Sequence, residues 1–195
     1  MITSEAVTLR TAFFPRSSAV TTTLIIIIGA GLVAVCAQLS VPLPFTPVPL
    51  TGQTFAVVLV GATLGPLAGA ASLTLYILVG IAGGPVYADG AHGWDVIASA
   101  TGGYLIGFVL AATITGALAT RRWDRRFSTA TSAMLAGSIA IYLVGLPWLA
   151  WQLDTGLEKT LELGLYPFVI GDLLKLYLAA ALLPTAWKLV GRVRT

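Results

Sequence analysis

The sequence is poor in charged residues and in the side chains that metal sites and disulfides require. Of its 195 residues only 10% are Asp, Glu, Lys or Arg, and it contains one cysteine, Cys36, and one histidine, His92. A single cysteine excludes an intrachain disulfide framework, and one histidine without an HExxH or CxxC motif does not make a metal site. We therefore expect neither a metal ion nor a cofactor.

Catalytic motifs are also missing from the chain. None of the lysines lies in a GxxxxGK[ST] frame, so the chain cannot hydrolyse ATP through a P-loop. There is no GxSxG motif, and His92 lies beside glycines in what we expect to be an outer loop, which argues against an intramembrane protease. The net charge of +3 does not indicate nucleic-acid binding, because the basic residues follow a membrane-topology pattern. We expect a protein that is not an enzyme.

Hydrophobic residues, in contrast, make up 57% of the chain, and the mean hydropathy is +0.91. These values are typical of a membrane protein. Four apolar runs have about the 20 residues that a transmembrane helix needs, at 21–40, 101–120, 128–148 and 166–187. A chain of this length has room for one domain, which we place at residues 19–192, after a polar, irregular cytoplasmic segment at residues 1–18.

A further apolar stretch, residues 53–83, is interrupted by Gly65-Pro66 and predicts either one long helix or two short ones. The positive-inside rule favours two, because the basic residues of both termini and of the RRWDRR segment then share the cytoplasmic side, and only Lys159 lies outside. These cytoplasmic residues are Arg10, Arg16, Arg121, Arg122, Arg125, Arg126, Lys188, Arg192 and Arg194. We therefore predict an all-α membrane protein with six transmembrane helices and cytoplasmic N- and C-termini.

Residues 41–52, VPLPFTPVPLTG, contain four prolines, which forbid a helix and favour an extended loop. In the six-helix topology this loop lies on the outer side, where it could act as a lid over a binding site. Its prolines would lower the entropic cost of ordering it on closure.

The last predicted span contains two opposite charges, Asp172 and Lys175, in an otherwise apolar run. A charge at mid-helix costs about 2.5–3.5 kcal/mol on insertion scales, so neither side chain is expected to face lipid. Because the two residues are three positions apart, they lie on the same face of the helix. The pair predicts either a binding site for a polar ligand or an ion pair that only holds helices together.

Three segments of the chain together resemble one family. They are TPVPLTGQTFAVVLVGATLGPLAGAASLTLYILVGIAGGPVY (46–87), ATGGYLIGF (100–108) and YPFVIGDLLK (166–175). In this order they are similar to the BioY family, the biotin-specific substrate-binding S components of energy-coupling factor (ECF) transporters. The similarity runs over roughly residues 21–192, nearly the whole chain.

The resemblance implies an ECF S-component-like bundle in a prokaryotic cell membrane, with a biotin pocket that opens outward. It also implies a membrane coupling protein (EcfT type) and a pair of ATPases as partners, besides the lipid bilayer that surrounds the chain; a homo-oligomer is compatible with the sequence. In the family the first helix packs on the coupling protein through small residues, a pattern that Ala30 and Ala34 match. Packing of these alanines within the chain is an equally good interpretation.

Biotin offers a ureido ring with two N–H donors and one C=O acceptor, a thioether ring and a carboxylate. Asp172 can accept from a ureido N–H, whereas Lys175 can donate to the ureido oxygen or pair with the carboxylate; the sequence does not decide between these. The other candidates are polar groups beside the proline-rich loop and aromatic or loop residues around the bicyclic ring. The complete predicted substrate-binding set is Asp172, Lys175, Gln53, Thr51, Tyr87, Asp89, Tyr104 and Phe168.

Two other functions remain open from the residues alone. The chain could be an S component for another vitamin, such as thiamine or riboflavin. It could also be a membrane protein without a transport role, in which Asp172 and Lys175 only stabilise the bundle.

Overall fold

The computed structural model describes residues 8–15 and 18–193, and within them the fold is helical apart from one short hairpin. Two arginines of the predicted cytoplasmic set, Arg16 and Arg194, lie outside the described residues, as do residues 1–7 of the predicted N-terminal segment. The helices are α1 (Leu9–Phe13), α2 (Ala19–Ala37), α3 (Gln53–Leu64), α4 (Pro66–Ile81), α5 (Trp94–Ile97), α6 (Gly102–Thr120), α7 (Phe127–Leu153), α8 (Leu157–Gly164) and α9 (Val169–Val193). Short 3-10 turns occupy Ala88–Gly90 and Trp123–Arg125.

Four of these helices, α2, α6, α7 and α9, are long and apolar enough to cross a membrane. They coincide with the four apolar runs of the sequence to within a few residues. The apolar helices α3 and α4 have 12 and 16 residues and are shorter than a full span. The chain is therefore a multi-pass membrane protein with four candidate spanning helices among the described residues.

The apolar stretch 53–83 folds as two helices that meet at Gly65-Pro66, as predicted. Gly65 has φ +86°, a conformation that costs little only for glycine, and Pro66 occupies the first position of α4. The close approach of α3 to α6 also depends on glycine, since a Cβ on Gly61 would lie 2.4 Å from the carbonyl oxygen of Ala112. Small residues thus allow these helices to pack backbone against backbone.

The prediction of an irregular segment before the first span is wrong for residues 9–13, which form α1. Thr8 caps this helix by a capping box: its side chain accepts from the Thr11 amide, and the Thr11 hydroxyl accepts from the Thr8 amide. Leu9 and Ala12 are buried against the bundle. The local cap and these two apolar contacts outweigh the polar composition of the surrounding sequence.

The proline-rich segment forms no helix, as predicted, but its ends pair as an antiparallel hairpin of β1 (Ser40–Val41) and β2 (Leu50–Thr51). Ser40 pairs with Thr51, and the Gly52 amide donates to the Leu39 carbonyl at 2.9 Å. The loop between the strands folds back over the bundle, so that Val48 is only 7% exposed and belongs to the core. This loop, residues 42–49, is called the hairpin loop below.

The two alanines predicted at a partner interface lie in packing within the chain. Ala30 is a member of the hydrophobic core, and Ala34 is partly buried against the same core. The exposed face of α2 instead carries larger residues, among them Leu24, Ile28 and Val35. The alternative interpretation of the Ala-x-x-x-Ala pattern, internal helix packing, therefore describes their position in this structure.

Candidate functional site

A cavity of about 280 Å³ lies between the hairpin loop and helices α3, α6, α7 and α9. This volume is close to the lower limit of small-molecule sites, about 300–1,000 Å³. All eight predicted substrate-binding residues line it. The remaining lining residues are Pro47, Val48, Pro49, Thr54, Ala88, Ala91, Val96, Ser99, Thr101, Leu105, Phe108, Ile141 and Tyr142. The end of the bundle that contains this cavity is called the pocket end.

Asp172 and Lys175 form an ion pair at one wall of the cavity, with 2.6 Å between Lys175 Nζ and Asp172 Oδ1. Both side chains are largely buried, at 11% and 19% exposure respectively. Asp172 lies in the first turn of α9, where the positive end of the helix dipole stabilises a carboxylate. The pair therefore faces the interior of the protein rather than lipid.

The Lys175 ammonium uses all three of its donors on the protein. Besides Asp172 it donates to the Thr54 hydroxyl at 2.8 Å and to the Thr51 carbonyl at 2.9 Å. Since an ammonium has only three N–H groups, a ligand oxygen that accepts from Lys175 must share or replace one of these partners. Thr51 belongs to β2, so Lys175 also ties α9 to the base of the hairpin.

The Asp172 carboxylate is held by donors from three helices. Thr54, in α3, donates to Oδ1 at 3.0 Å, and Tyr142, in α7, donates to Oδ2. With Lys175 these are three of about four positions at which two carboxylate oxygens accept hydrogen bonds. One acceptor position therefore remains for a donor on a ligand in the cavity.

Gln53 belongs to a second cluster of polar side chains, which is connected to the Asp172–Lys175 pair through Thr51. Its side-chain oxygen accepts from the Thr51 hydroxyl at 2.9 Å, and its amide nitrogen donates to the Tyr76 hydroxyl at 2.6 Å. Gln53 is only 6% exposed and Tyr76 only 1%. The side chain of Gln53 is thus fixed by neighbours on both of its polar atoms.

Aromatic side chains form much of the remaining wall. Tyr104 is packed edge-on against Tyr142, with ring centroids 6.2 Å apart, and donates its hydroxyl to the Gly164 carbonyl at 2.9 Å. Tyr87 is buried and donates to the Ile77 carbonyl at 2.7 Å. With the buried Phe168 these rings present flat apolar surfaces beside the Asp172–Lys175 pair.

Asp89 lines the cavity from an exposed position at its mouth. It is exposed, has φ +55° within the Ala88–Gly90 turn, and accepts from the Ser40 hydroxyl at 3.1 Å. This contact joins the turn to the hairpin. Asp89 therefore has a structural partner of its own, in addition to its place at the cavity mouth.

Sequence reasoning missed Thr54 and Tyr142, the two neutral residues that hydrogen-bond to Asp172. Thr54 directly follows the selected Gln53, and Tyr142 is the one tyrosine in the apolar run 128–148, so both could have been noticed. The sequence does not distinguish them from other hydroxyl-bearing residues, because their contacts with Asp172 depend on how α3, α7 and α9 pack together. Within the described residues, no group of three or more His, Cys, Asp and Glu side chains could hold a metal ion.

A helical bundle that crosses a membrane and encloses a polar-and-aromatic cavity defines a membrane-embedded small-molecule-binding protein. The chain belongs to the BioY family, whose sequence profile matches residues 8–192. It is 40% identical over 145 residues to a probable biotin transporter BioY of Pyrococcus horikoshii, which covers 74% of this chain and 83% of that relative. Its identity to the biotin transporter BioY of Thermotoga maritima is 37% over 153 residues, covering 78% and 88%.

The fold is similar to a crystal structure of the S-component for biotin from an ECF-type ABC transporter. The TM-score is 0.75 at 25% sequence identity, over 87% of this chain and 92% of the solved one. The likeness therefore extends over most of the chain.

Proposed function

We propose that this protein is the biotin-binding S component of an ECF transporter and that it takes up biotin. The observation that carries the proposal is a buried Asp172–Lys175 pair inside a cavity of small-molecule size, in a chain of the BioY family. The relatives and the solved neighbour are named for biotin. The family is one of transport subunits, so no reaction is assigned and biotin leaves chemically unchanged.

The ureido head of biotin suits the acceptor position that remains on Asp172. A ureido N–H would donate to the carboxylate, a charge-assisted bond worth about 1.5–3 kcal/mol. Lys175 would reach the ureido oxygen or the valerate carboxylate only by sharing one of its three present acceptors. We therefore assign the primary contact to Asp172 and a secondary one to Lys175.

The other predicted residues complete this site. Tyr104, Phe168 and Tyr87 would enclose the apolar bicyclic body, and Gln53 and Thr51 would fix the polar wall. Asp89 would act at the entrance, because it is exposed at the rim. Thr54 and Tyr142 join this set because both contact Asp172.

The transport cycle that fits this architecture begins with capture from the outer side and closure of the hairpin loop. We propose six membrane-crossing helices, with α3 and α4 as the two short spans and both termini in the cytoplasm of a prokaryotic cell. The arginines of residues 121–126 would then face the cytoplasm. Release inside would follow a reorientation driven by a membrane coupling protein and its ATPases, since the chain lacks a P-loop.

Equilibrium binding by the purified protein tests the proposal. Labelled biotin should be retained and displaced by unlabelled biotin, but not by excess thiamine or riboflavin. Displacement by one of those vitamins would assign the S component to another substrate. Absence of any retention, in protein that remains folded, would support a purely structural role for Asp172 and Lys175. Mass spectrometry of chains that co-purify from native membranes would identify the coupling module and any further copies of this chain.

A further inference from the structure

The C-terminal end of α8 contacts both the hairpin loop and the cavity wall. The last carbonyls of a helix have no partner within the helix and must be satisfied from outside it. In α8 the Leu163 carbonyl accepts from the Thr46 hydroxyl at 2.7 Å, and the next carbonyl, of Gly164, accepts from the Tyr104 hydroxyl at 2.9 Å. Two adjacent peptide groups thus join a loop residue and a cavity-lining residue.

Thr46 also organises the hairpin loop from within. Its hydroxyl accepts from the Val48 amide at 3.2 Å while it donates to Leu163, so both hydrogen-bonding functions of the hydroxyl are used. Val48 is buried and lines the cavity together with Pro47 and Pro49. Thr46 itself does not line the cavity. It therefore holds the part of the loop that covers the cavity without touching the space that a ligand would fill.

The opposite end of the hairpin is fixed by different contacts. Its base is held by the β1–β2 pairing and by the bond from Lys175 to the Thr51 carbonyl. The side-chain bond from Thr46 to α8 joins residues 117 positions apart in sequence. Loss of this bond would free the loop tip while leaving the hairpin base in place.

We propose that Thr46 is a positioning residue that keeps the hairpin loop closed on α8 and thereby sets how long a bound ligand is retained. The proposal rests on the proposed biotin-binding function. The Leu163–Gly164 peptide couples Thr46 to the ligand, because a ring system packed against Tyr104 would stabilise the conformation of α8 in which the Leu163 carbonyl accepts from Thr46. The residue acts through the loop and not through contact with the ligand.

The test is the dissociation rate of labelled biotin from the purified full chain. Thr46→Val removes both hydrogen bonds at nearly constant volume and should raise the dissociation rate about tenfold. Thr46→Ser keeps the hydroxyl and should release biotin within about twofold of the parent rate. Thr113→Val is the matched control, since the Thr113 hydroxyl donates over the same 2.7 Å distance to Val109, within its own helix.

Hydrogen exchange of the biotin-bound protein gives a second measurement. The amides of Leu43, Phe45, Thr46 and Val48, the hairpin-loop residues that are not proline, should exchange faster in Thr46→Val than in the parent, whereas those of β1 and β2 should not change. Equal biotin dissociation rates for the parent and Thr46→Val, or faster release from Thr46→Ser as well, would overturn the role of Thr46. Failure of the parent protein to retain biotin would instead overturn the proposed function itself.

Discussion

Helix α9 carries one polar cluster near each end, and the two clusters bury a carboxylate in different ways. At the pocket end Asp172 is paired with Lys175 and receives hydroxyl donors from Thr54 and Tyr142. At the opposite end, called the arginine end after the RRWDRR segment, Asp124 is 1% exposed and accepts from the Trp187 indole at 2.5 Å. Of these two carboxylates, Asp172 lines the cavity beneath the hairpin loop.

The arginine-end cluster has the contacts of a clamp between α9 and the 3-10 turn before α7. The Arg125 guanidinium carbon lies 4.2 Å from the centre of the Trp187 ring, a cation–π contact. Among the described residues, Asp124 Oδ1 has no hydrogen-bond partner. The two buried carboxylates therefore differ in what lies beside them: Asp172 lines a cavity, whereas Asp124 joins α9 to the turn before α7.

Asp172→Asn should produce the largest loss of biotin binding. The substitution removes the counter-charge of the buried Lys175, and breaking such a pair costs about 3–5 kcal/mol. If the biotin complex bears this cost, biotin affinity should fall more than about hundredfold. Equilibrium binding of labelled biotin measures it. Asp154→Asn, at an exposed carboxylate that ends α7, is the matched control.

The same variant separates the two interpretations of the pair. Lost biotin binding in protein that unfolds near the parent temperature would support a ligand site. Lost folded protein, with no binding measurable in the parent, would support helix-holding only. Parent-like biotin binding by both Asp172→Asn and Lys175→Ala would contradict the site.

The next largest effect is expected for Tyr142→Phe, which removes the phenol that donates to Asp172 Oδ2. A hydrogen bond to a charged group is worth about 1.5–3 kcal/mol, so biotin affinity should fall about tenfold to a hundredfold. The ring and its contact with Tyr104 remain. Titration with labelled biotin measures the change, and Tyr177→Phe, at a half-exposed tyrosine of α9, is the control. Unchanged affinity would show that Asp172 is positioned without Tyr142.

The contrast between the two clusters also explains which residues the sequence could reveal. Asp172 and Lys175 stand out because charges inside an apolar run have a large insertion cost. Asp124 lies within RRWDRR, a strongly charged segment outside the apolar runs, and nothing in the order of residues shows that Trp187 covers it. Thr54 and Tyr142 were missed for a related reason, since their roles depend on which faces of α3 and α7 meet α9.

The fold, like the site, could be predicted from the sequence only in part. The split at Gly65-Pro66 was recovered because that dipeptide and the distribution of arginines give independent signals. The packing of Ala30 was not, because a small residue fits equally well against a helix of the same chain or of a partner. Local capping by Thr8 formed a helix at residues 9–13 that hydropathy alone does not indicate.

Trp187→Phe should reduce stability without a comparable effect on biotin binding. It removes the indole donor to Asp124, a hydrogen bond to a charged group worth about 1.5–3 kcal/mol, and weakens the contact with Arg125. The melting temperature should fall by several degrees, whereas biotin affinity should stay within about twofold of the parent. Trp94→Phe, at an exposed tryptophan, is the control. A large loss of biotin affinity would show that the two ends of α9 are coupled rather than independent.

The smallest effect is expected at Asp124, and it should depend on pH. Burial raises the pKa of Asp124 above the ordinary carboxyl value, against the opposing effects of the Trp187 indole and Arg125. The folded state therefore favours the protonated form of Asp124. The stabilising contribution of this carboxyl group is complete below about pH 3.9, its pKa in the unfolded chain, and is lost as pH rises through its pKa in the folded protein.

Asp124→Asn does not titrate and still offers an oxygen to Trp187. It should therefore melt at or above the parent temperature at pH 8, and this advantage should shrink toward pH 4.5. Asp95→Asn, at an exposed carboxylate, is the control variant. An Asp124→Asn protein that is less stable than the parent at pH 8 would mean that the ionised carboxylate holds α9 to the turn before α7.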